Sequence, residues 1–474
     1  MKISACVIVK DEAANLPRWL ANMRAVADEL VVVDTGSTDD TVALAGAGGA
    51  RVGHFRWCDD FAAARNYALS QVTGDWVLML DADEYIPEAQ LPRVRPLLAR
   101  YDAQREVVGF FTDWLNVDAA GGPVKNAGYQ VRIFRRLPEL RFTRMIHEVL
   151  HYSGTATHRL PYVQDVQIYH TGYAPERLPA KLRRNLRLLQ HSQAKYGGQP
   201  VDDYYFADCY YGLGEYRAAI AHVQKLLASQ VRLIGAENHP YVVWLRSLLA
   251  LQAPLPELLA VVAQAREAFP QQAEFPLFGG QACWQQGDYG RALAYYEQGL
   301  RLARAKPQPE AGGAASMHVA AEAAALLPDA YVHAARLYRW RGQTAQALQV
   351  VTDGLLWECR QPDLCEELLR LLAAADDAAC IEALQPFYPQ ADDAAWLAAL
   401  LQARPRLRRP RLVLYYQRRA GQRPSGPAAL RAAGCFAAAT LSLISDIRAC
   451  QQLGQQHPIP AEAAAVLAVL SPQG

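Results

Sequence analysis

At 474 residues, the chain is too long for one ordinary hydrophobic core, so two or more domains are expected. Its 48 Lys and Arg residues are balanced by 47 Asp and Glu residues, which argues against binding nucleic acid through overall charge. Nine scattered cysteines without a CxxC pair favour reduced thiols over a disulfide framework or a zinc site. The sequence shows no signal peptide and no apolar stretch long enough to span a bilayer, and we expect a cytoplasmic protein.

Up to about residue 170, strand-like and helix-like segments alternate, which is typical of a mainly parallel α/β sheet. The predicted strands are residues 3–9, 30–33, 51–52, a run that ends at 81, 107–112, 129–135 and 165–169. The predicted helices are residues 12–26, 59–71 and 88–99. In the first helix, Leu16, Trp19, Leu20 and Met23 recur at helical spacing and should face the core.

After about residue 175 only helix-like segments follow. In three places a glycine is followed five residues later by an alanine. The pairs are Gly214 with Ala219, Gly287 with Ala292, and Gly342 with Ala347. Ala265 and Gly299 are 34 residues apart, the period of tetratricopeptide repeats. An all-α solenoid is therefore predicted, with a plain helical bundle as the alternative. The predicted domains are 1–175 (α/β), 176–203 (linker helix), 204–360 (repeats) and 361–474 (further helical repeats and a C-terminal cap).

A possible catalytic centre follows the apolar run at residues 76–80, where Asp81, Asp83 and Glu84 end a strand that reads as buried on both faces. Ligands of open α/β sheets bind beyond the carboxyl ends of such strands. Two carboxylates there can hold Mn²⁺ or Mg²⁺, and the cation can hold a diphosphate. Asp83 is the predicted metal ligand, and Asp81 is predicted to contact the nucleotide or a metal-bound water. The alternative for Asp83 is an N-cap of the helix that follows.

Two further residues are placed to bind a nucleotide. Asp34 ends the second strand at the same predicted edge as Asp81, and its carboxylate can accept hydrogen bonds from a base or a ribose. The alternative is that Asp34 only opens the turn at residues 36–37. Arg65, on the helix before the strand that ends at Asp81, can reach a phosphate or a base. An ordinary surface arginine is its alternative.

The end of the α/β half supplies candidates for acid–base chemistry. Glu148 is the predicted general base, provided that burial raises its pKa toward the working pH. His147 can donate to a phosphate or act in place of Glu148, and an exposed polar pair on a loop is the alternative for both. Asp113 is the second candidate for the base. His170, at the end of a strand, can complete the metal shell with a nitrogen, although a structural histidine is the favoured interpretation there.

Two basic stretches are interpreted as solvated surface rather than as binding sites for nucleic acid or membranes. The first, on the helix that joins the two halves, contains Arg177, Lys181, Arg183, Arg184 and Arg187. The second lies between prolines and contains Arg404, Arg406, Arg408, Arg409, Arg411, Arg418, Arg419 and Arg423.

Four motifs in order resemble family 2 glycosyltransferases of the Rossmann-like GT-A fold, over about residues 1–170. They are Val7-Ile8-Val9-Lys10-Asp11-Glu12, Val32-Val33-Asp34-Thr35-Gly36-Ser37-Thr38-Asp39, Arg65-Asn66 and Leu80-Asp81-Ala82-Asp83-Glu84. The resemblance is closest to the subgroup whose catalytic domain precedes tetratricopeptide repeats, some of whose members glycosylate peptides or proteins. It extends to bacterial enzymes that add sugars or heptoses to the lipopolysaccharide core.

The resemblance implies an inverting transfer from a nucleotide sugar. It assigns Asp34 to the nucleotide base, Asp81 and Asp83 to the metal and diphosphate, and Glu12 and Arg65 to the nucleotide-sugar site. His147 and Glu148 match a His-Glu pair of the subgroup, which supports Glu148 as the base. Thr35 departs from the commoner second aspartate of the broad family, a change that the subgroup shares. The downstream acidic motif of processive members is not apparent, which weakens the case for a polysaccharide synthase.

The sequence therefore predicts a metal-dependent glycosyltransferase of the hexosyl or N-acetylhexosaminyl type. Its donor would be a UDP-sugar, and its solenoid would present a peptide or protein acceptor, with a glycan as the other acceptor class. The alternative is a non-catalytic scaffold that retains a GT-A fold. A nucleotidyltransferase would need a basic Gly-rich loop after the first strand, where this chain carries Asp11 and Glu12. A homodimer is compatible with these features, and the sequence selects neither the sugar nor the acceptor.

Overall fold

The computed structural model describes residues 1–117, 124–171, 178–231, 233, 236–305, 317–404 and 409–422, with side chains except at 124–127, 317–321 and 410. These residues form two compact units. The first unit consists of the described residues of Met1–Phe275 and of Ala305–Ala323. The second unit consists of Pro276–Arg304 and the described residues from Ala324 onward. The predicted domain boundaries at 175, 203 and 360 stay predictions. Outside the described residues lie Arg177, Arg406, Arg408, Arg423, Cys435, Cys450 and the predicted C-terminal cap.

The α/β part contains one eight-stranded sheet and a two-stranded hairpin. The strands are β1 Ile3–Val9, β2 Glu29–Asp34, β3 Arg51–His54, β4 Trp76–Met79, β5 Glu84–Tyr85, β6 Gly109–Val117, β7 Val124–Arg135, β8 Leu140–Thr143, β9 Val149–Tyr152 and β10 Tyr162–His170. The order of the large sheet is β3-β2-β1-β4-β7-β6-β10-β5, and β8 pairs with β9. Strand β7 is antiparallel to β4 and β6, and β5 is antiparallel to β10. The remaining pairs are parallel, so the sheet that the sequence predicts as mainly parallel is mixed.

Helices cover both faces of this sheet, which is why its central strands are continuous apolar runs. They are α1 Leu16–Arg24, α2 Thr41–Ala47, α3 Phe61–Gln71 and α4 Leu91–Asp102, the last preceded by a 3-10 turn at Glu88–Gln90. On one side Val7 packs in a cluster with Trp19 and Phe110, and on the other Cys6 packs in a cluster with residues of β4 and β7. The four apolar residues predicted to face the core from the first helix are all buried. The indole Nε1 of Trp19 donates to the carbonyl of Leu80 at 3.2 Å, which ties α1 to the segment that carries the carboxylates.

The carboxyl ends of β1, β2, β4, β6 and β10 meet at one edge of the sheet, because these strands run in the same direction. Asp34 and Asp81 lie at that edge, as predicted, and His170 lies there too. The sequence patterns did not predict α2, β5 or the β8–β9 hairpin. Helix α2 is seven residues of mostly small side chains without an apolar stripe, and β5 is only two residues long. Elements this short carry too few positions for a periodic signal.

Beyond the sheet the described chain is helical. The helices are α5 Leu178–Tyr196, α6 Asp202–Gly212, α7 Tyr216–Ala228, α8 His239–Ala250, α9 Leu255–Ala268, α10 Glu274–Gln285, α11 Tyr289–Arg304, α12 Met317–Trp340, α13 Thr344–Trp357, α14 Pro362–Leu371, α15 Asp377–Leu384, α16 Ala391–Ala403 and α17 Pro410–Arg419. Within the ranges given above, none of the helices combines the length and the apolar character needed to cross a membrane.

Glycine turns connect the helices of three pairs. Gly214, Gly287 and Gly342 have φ values of +80°, +76° and +72°, a left-handed conformation that glycine adopts without steric cost. The small residue that follows in each pair is fully buried, and these residues are Ala219, Ala292 and Ala347. The prediction of an α/β domain followed by an all-α repeat region is confirmed.

Candidate functional site

The centre of the candidate site is an arginine shared by two carboxylates. Arg65 Nη2 donates to Asp81 Oδ1 at 2.8 Å, and Arg65 Nε donates to Glu148 Oε1 at 2.6 Å. Only 5% of the Arg65 side chain is exposed, so the predicted alternative of a surface arginine is wrong. Asp60 starts α3 by accepting a hydrogen bond from the backbone N of Ala63, which fixes the helix register that turns Arg65 inward.

A second arginine completes the network from β7. Arg132 Nη2 donates to Asp81 Oδ2 at 2.9 Å and to Glu84 Oε1 at 2.7 Å. Glu84 is fully buried, and it also accepts from Trp114 Nε1 at 2.7 Å and from the backbone N of Asp81 at 2.8 Å. Each oxygen of Asp81 thus accepts a hydrogen bond from a different guanidinium group. Arg132 contacts both Asp81 and Glu84, so it fixes the two ends of the turn between them.

Charge balance explains how so many ionisable groups share one site. Burial acts to raise the pKa of Asp81, but Arg65 and Arg132 outweigh it and hold this pKa below its usual range. Burial raises the pKa of Glu84, although Arg132 opposes the shift. Burial acts to lower the pKa of Arg65, yet Asp81 and Glu148 raise it above its usual value. Arg65 Nη1 is buried without a hydrogen-bond partner among the described residues.

A carboxylate and an imidazole lie side by side next to this network. Asp83 Oδ2 is 3.1 Å from His170 Nε2, and the other ring nitrogen, Nδ1, is 2.9 Å from Asn116 Oδ1. The imidazole is stacked on Trp114, with ring centroids 4.7 Å apart. Asp83 does not cap a helix, because the 3-10 turn and α4 begin after Pro87 and Gln90, so that alternative is wrong. Asp83 and His170 therefore present an oxygen and a nitrogen at one point, with 24% of the Asp83 side chain exposed.

Two predicted nucleotide-binding residues lie elsewhere along the same edge. Asp34 accepts hydrogen bonds from the backbone N of Gly36 at 3.1 Å and of Ser37 at 3.0 Å, so it does open the turn that follows. Burial opposes the shift, but these hydrogen bonds lower the pKa of Asp34. Asp34 ends β2, and β1 lies between β2 and β4, so β2 and β4 are roughly 10 Å apart. Glu12 follows β1 and accepts from Asn15 Nδ2 at 2.8 Å.

The turn that carries Glu148 is held by the first helices of the repeat region. Arg144 and His147 have φ values of +77° and +52°, a conformation that non-glycine residues rarely adopt. Arg144 forms an ion pair with Asp202 of α6, and the ring of His147 stacks on Tyr205 with centroids 3.8 Å apart. Ile146 is buried among apolar side chains of α5 and α6. The position of Glu148 therefore depends on residues far along the chain.

His147 faces this junction rather than Asp81. Burial, with Arg144 as a further cause, lowers the pKa of His147 to about 4, so the imidazole is neutral at neutral pH. Its Nε2 is buried without a hydrogen-bond partner among the residues that the structure describes. A neutral ring stacked on Tyr205 lacks the charge that would attract a phosphate, and these contacts favour a structural part for His147.

This pKa predicts a loss of stability in mild acid. The unfolded chain takes up a proton at His147 near pH 6.5, whereas the folded state resists protonation down to about pH 4. The contribution of His147 to folding is therefore complete above pH 6.5 and falls as the pH drops toward 4. In urea unfolding at pH 7 and pH 5, His147→Phe should lose less stability between the two pH values than the unsubstituted protein. An equal loss in both would contradict the prediction, and the constant cost of phenylalanine at positive φ cancels from the comparison.

Asp113, the second candidate for the base, lies outside the network. Its Oδ1 accepts from the Tyr162 hydroxyl at 2.7 Å, and its Oδ2 accepts from Gln167 Nε2 at 3.0 Å. Its neighbour Trp114 points to Glu84, and side chains alternate along a strand, so Asp113 points to the opposite face.

Sequence reasoning missed Arg132 and Trp114 as members of the site, and it gave Glu84 no role of its own. One signal was available for Arg132, which stands between Val131 and Ile133 as a charge inside an apolar strand. A buried charge needs a partner of opposite charge, so the sequence could have predicted an ion pair between Arg132 and one of the carboxylates that follow β4.

Residues 4–147 match the family model described as Glycosyl transferase family 2. The amino-terminal α/β part is therefore a family 2 glycosyltransferase domain, which confirms the resemblance stated above.

Curated relatives match less than half of the chain. A TPR repeat-containing protein of Synechococcus elongatus is 38% identical over 209 residues, which are 43% of this chain and 50% of that protein. The SPbeta prophage-derived glycosyltransferase SunS of Bacillus subtilis is 25% identical over 201 residues, which are 40% of this chain and 44% of that protein. The chain thus spans half or less of the length of these relatives.

Similarity to solved structures is weak. The crystal structure of S. aureus TarS is 15% identical with a TM-score of 0.30, covering 51% of this chain and 52% of that chain. A TPR protein of Thermus thermophilus is 21% identical with a TM-score of 0.28, covering 42% of this chain and 97% of that chain. Similarity at this level carries no argument about what this chain binds.

Proposed function

We propose that this chain transfers a sugar, with inversion, from a nucleoside diphosphate sugar to a hydroxyl or thiol of a peptide, protein or glycan acceptor. The observation that carries the proposal is the single arginine, Arg65, that joins Asp81 to Glu148. The Glu148 carboxylate therefore lies within one side chain's length of Asp81, the carboxylate that follows the central strand β4. The glycosyltransferase names of several relatives of this domain agree with it.

Glu148 is the proposed general base. Its carboxylate takes the proton from the acceptor hydroxyl or thiol while the acceptor oxygen or sulfur forms a bond to the anomeric carbon. The bond between that carbon and the diphosphate oxygen breaks, and the nucleoside diphosphate leaves with the electron pair. Attack opposite the leaving group inverts the anomeric centre. Arg65 and Arg132 keep Asp81 in place, and their positive charges next to the proposed donor site would favour the developing charge on the diphosphate.

Asp83 and His170 are the proposed holders of Mn²⁺ or Mg²⁺. Their facing Oδ2 and Nε2 atoms suit such a cation, and a hydrogen bond from the second ring nitrogen to Asn116 is the usual way of orienting a histidine ligand. Among the described residues there is no group of three or more such ligand side chains, so diphosphate oxygens would supply much of the shell. A bound cation would offset the charge of the leaving diphosphate.

The donor is proposed to be a UDP-sugar of the hexose or N-acetylhexosamine type. Asp34 and Glu12 line the edge of the sheet beside β1 and β2, where the base and ribose would bind. Each Asp34 oxygen receives one backbone hydrogen bond, and His54 Nδ1 lies 3.6 Å from Oδ2. A nucleotide that donates to Asp34 would add to these contacts or replace that of His54.

Thermal-shift and product-release assays test the proposal. UDP with Mn²⁺ should raise the melting temperature, since a ligand that binds only the folded state stabilises it. Free UDP should appear from UDP-glucose or UDP-N-acetylglucosamine only when the metal is present. Asp83→Ala should abolish the metal dependence of both signals. Asp165→Ala is the matched control, because that carboxylate pairs with an exposed arginine, Arg100, outside the site. Absence of any nucleotide effect in the unsubstituted protein would favour the non-catalytic scaffold.

A further inference from the structure

Helix α5 carries a dense basic surface beside the base. Its sequence from residue 178 to 196 contains five Lys and Arg residues and no Asp or Glu, although the whole chain has a net charge of only +1. At 100° per residue, one 120° face of the helix collects most of this charge. We name this the α5 basic face, and it consists of Lys181, Arg184, Arg187, His191 and Lys195.

Contacts place the α5 basic face next to Glu148. The Arg184 guanidinium lies over the ring of Phe61, at 5.3 Å from its centroid, and Phe61 begins the helix that carries Arg65. Arg187 is 3.6 Å from Asp59, just before that helix. Arg184 bonds to Asn185 of its own helix, and no described carboxylate forms an ion pair with it.

Electrostatics agree with this placement. Burial lowers the pKa of Arg184, Arg187 lowers it further, and the negative charge of Glu148 opposes the shift. Lys181 and Arg184 both act on the neighbouring His147 as positive charges. A ligand that reaches Glu148 along α5 therefore meets several cations, of which only Arg187 has a carboxylate partner among the described side chains.

The α5 basic face and the proposed donor site lie on different sides of Glu148. Arg65 joins Glu148 to Asp81 at the edge of the sheet, where the donor is proposed to bind. Helix α5 contacts the turn of Glu148 from the helical side, through the cluster that contains Ile146 and Leu188. An acceptor must approach the base from a side that the donor does not fill, and α5 borders that side.

We infer that the acceptor is an acidic polypeptide segment, which lies along the α5 basic face with its hydroxyl or thiol at Glu148. The inference rests on the proposed function. From Lys181 to Lys195 the helix rises by about 21 Å, a length that six or seven extended residues match. Lys181, Arg184 and Arg187 are about 4.5 Å apart along the axis and Lys195 lies about 12 Å further, spacings comparable with one and two repeats of the roughly 6.6 Å between alternate side chains of an extended peptide. The solenoid into which α5 leads is an architecture suited to extended peptides.

Binding of a model peptide tests the inference on the full chain. The probe is fluorescein-labelled octaglutamate, measured by fluorescence anisotropy at low salt, with octalysine and inorganic polyphosphate as comparison probes. Octaglutamate should bind, and octalysine should not. The double substitution Lys181→Gln/Arg184→Gln should weaken binding by about tenfold or more, as expected for loss of charge-assisted contacts. Arg217→Gln/Lys225→Gln removes the same charge from exposed positions of α7 and should change binding by less than about twofold.

Each outcome decides one point. Equal weakening by the α5 and α7 substitutions, or no binding of octaglutamate, would overturn the inference. Polyphosphate that binds through Lys181 and Arg184 while octaglutamate does not would overturn it in favour of a phosphate-rich acceptor. The thermal shift produced by UDP and Mn²⁺ is recorded on the same proteins. If that shift is absent while octaglutamate binds through α5, the proposed function fails and the helix remains a site for acidic peptides.

Discussion

Replacing Glu148 with Gln should lower the rate of sugar transfer to the acceptor by about 10²–10⁴-fold, the usual contribution of a general base. Glutamine keeps the size of the side chain, and its amide oxygen can still accept the hydrogen bond from Arg65 Nε. It cannot take a proton from an acceptor, so chemistry is lost while the donor site stays intact. Single-turnover transfer assays measure the rate, and the thermal shift with UDP and Mn²⁺ should stay unchanged.

Asp113→Asn is the matched comparison for this prediction, because Asp113 is the rival base. Its carboxylate is engaged by Tyr162 and Gln167 on the opposite face of β6, so its substitution should cost stability rather than transfer rate per folded molecule. A large loss of transfer in Asp113→Asn together with normal transfer in Glu148→Gln would show that the base is assigned to the wrong residue.

The contacts around Glu148 change the part that the helical region is expected to play. The sequence led to the expectation that the repeats present an acceptor and leave chemistry to the α/β domain. In the structure, α6 also supports the turn that carries Glu148, since Asp202 pairs with Arg144 and Tyr205 stacks on His147. Substitutions on α6 should therefore reduce transfer and donor hydrolysis together. Only surfaces that do not touch this turn can separate acceptor binding from catalysis.

The parts of the fold that the sequence predicted are those with a local pattern. The apolar run before Asp81 and the apolar stripe of α1 each lie within one element, and both are buried as expected. The grouping of Asp34, Asp81 and His170 at one edge follows from parallel strands ending together. The sequence thus predicted that Asp34 and Asp81 share one edge of the sheet.

What could not be predicted depends on pairing between distant segments. Arg132 reaches Asp81 because β7 pairs with β4 in a register that sets Ile133 opposite Leu78, and no local pattern contains that register. The stacking of His147 on Tyr205 likewise joins a loop to a helix of the repeat region. For Asp34 the two interpretations of the sequence stay open. Its carboxylate does accept hydrogen bonds from the turn, and these bonds do not exclude the binding of a nucleotide.

Replacing Arg65 with Met should have the largest effect on stability. The substitution leaves Asp81 with Arg132 alone and takes away the ion-pair partner that Glu148 has in the network. Removing one partner of a buried ion pair costs about 3–5 kcal/mol, and Asp81 is one-third exposed and keeps one arginine, so we expect about 3 kcal/mol here. Urea unfolding measures the change. Transfer should fall too, because Glu148 loses the contact that orients it.

Arg100→Met is the control for this effect. Arg100 forms a single ion pair with Asp165 at 2.9 Å, but 54% of its side chain is exposed, so solvent screens the pair and its loss should change stability little. The same substitution at the two positions therefore compares a shared, buried arginine with an exposed one. If Arg65→Met unfolds at the same urea concentration as Arg100→Met and keeps its transfer rate, Arg65 does not hold the base and the carboxylate together. Arg65→Lys should lie in between, because an ammonium keeps the charge but lacks the planar fork that reaches both Asp81 and Glu148.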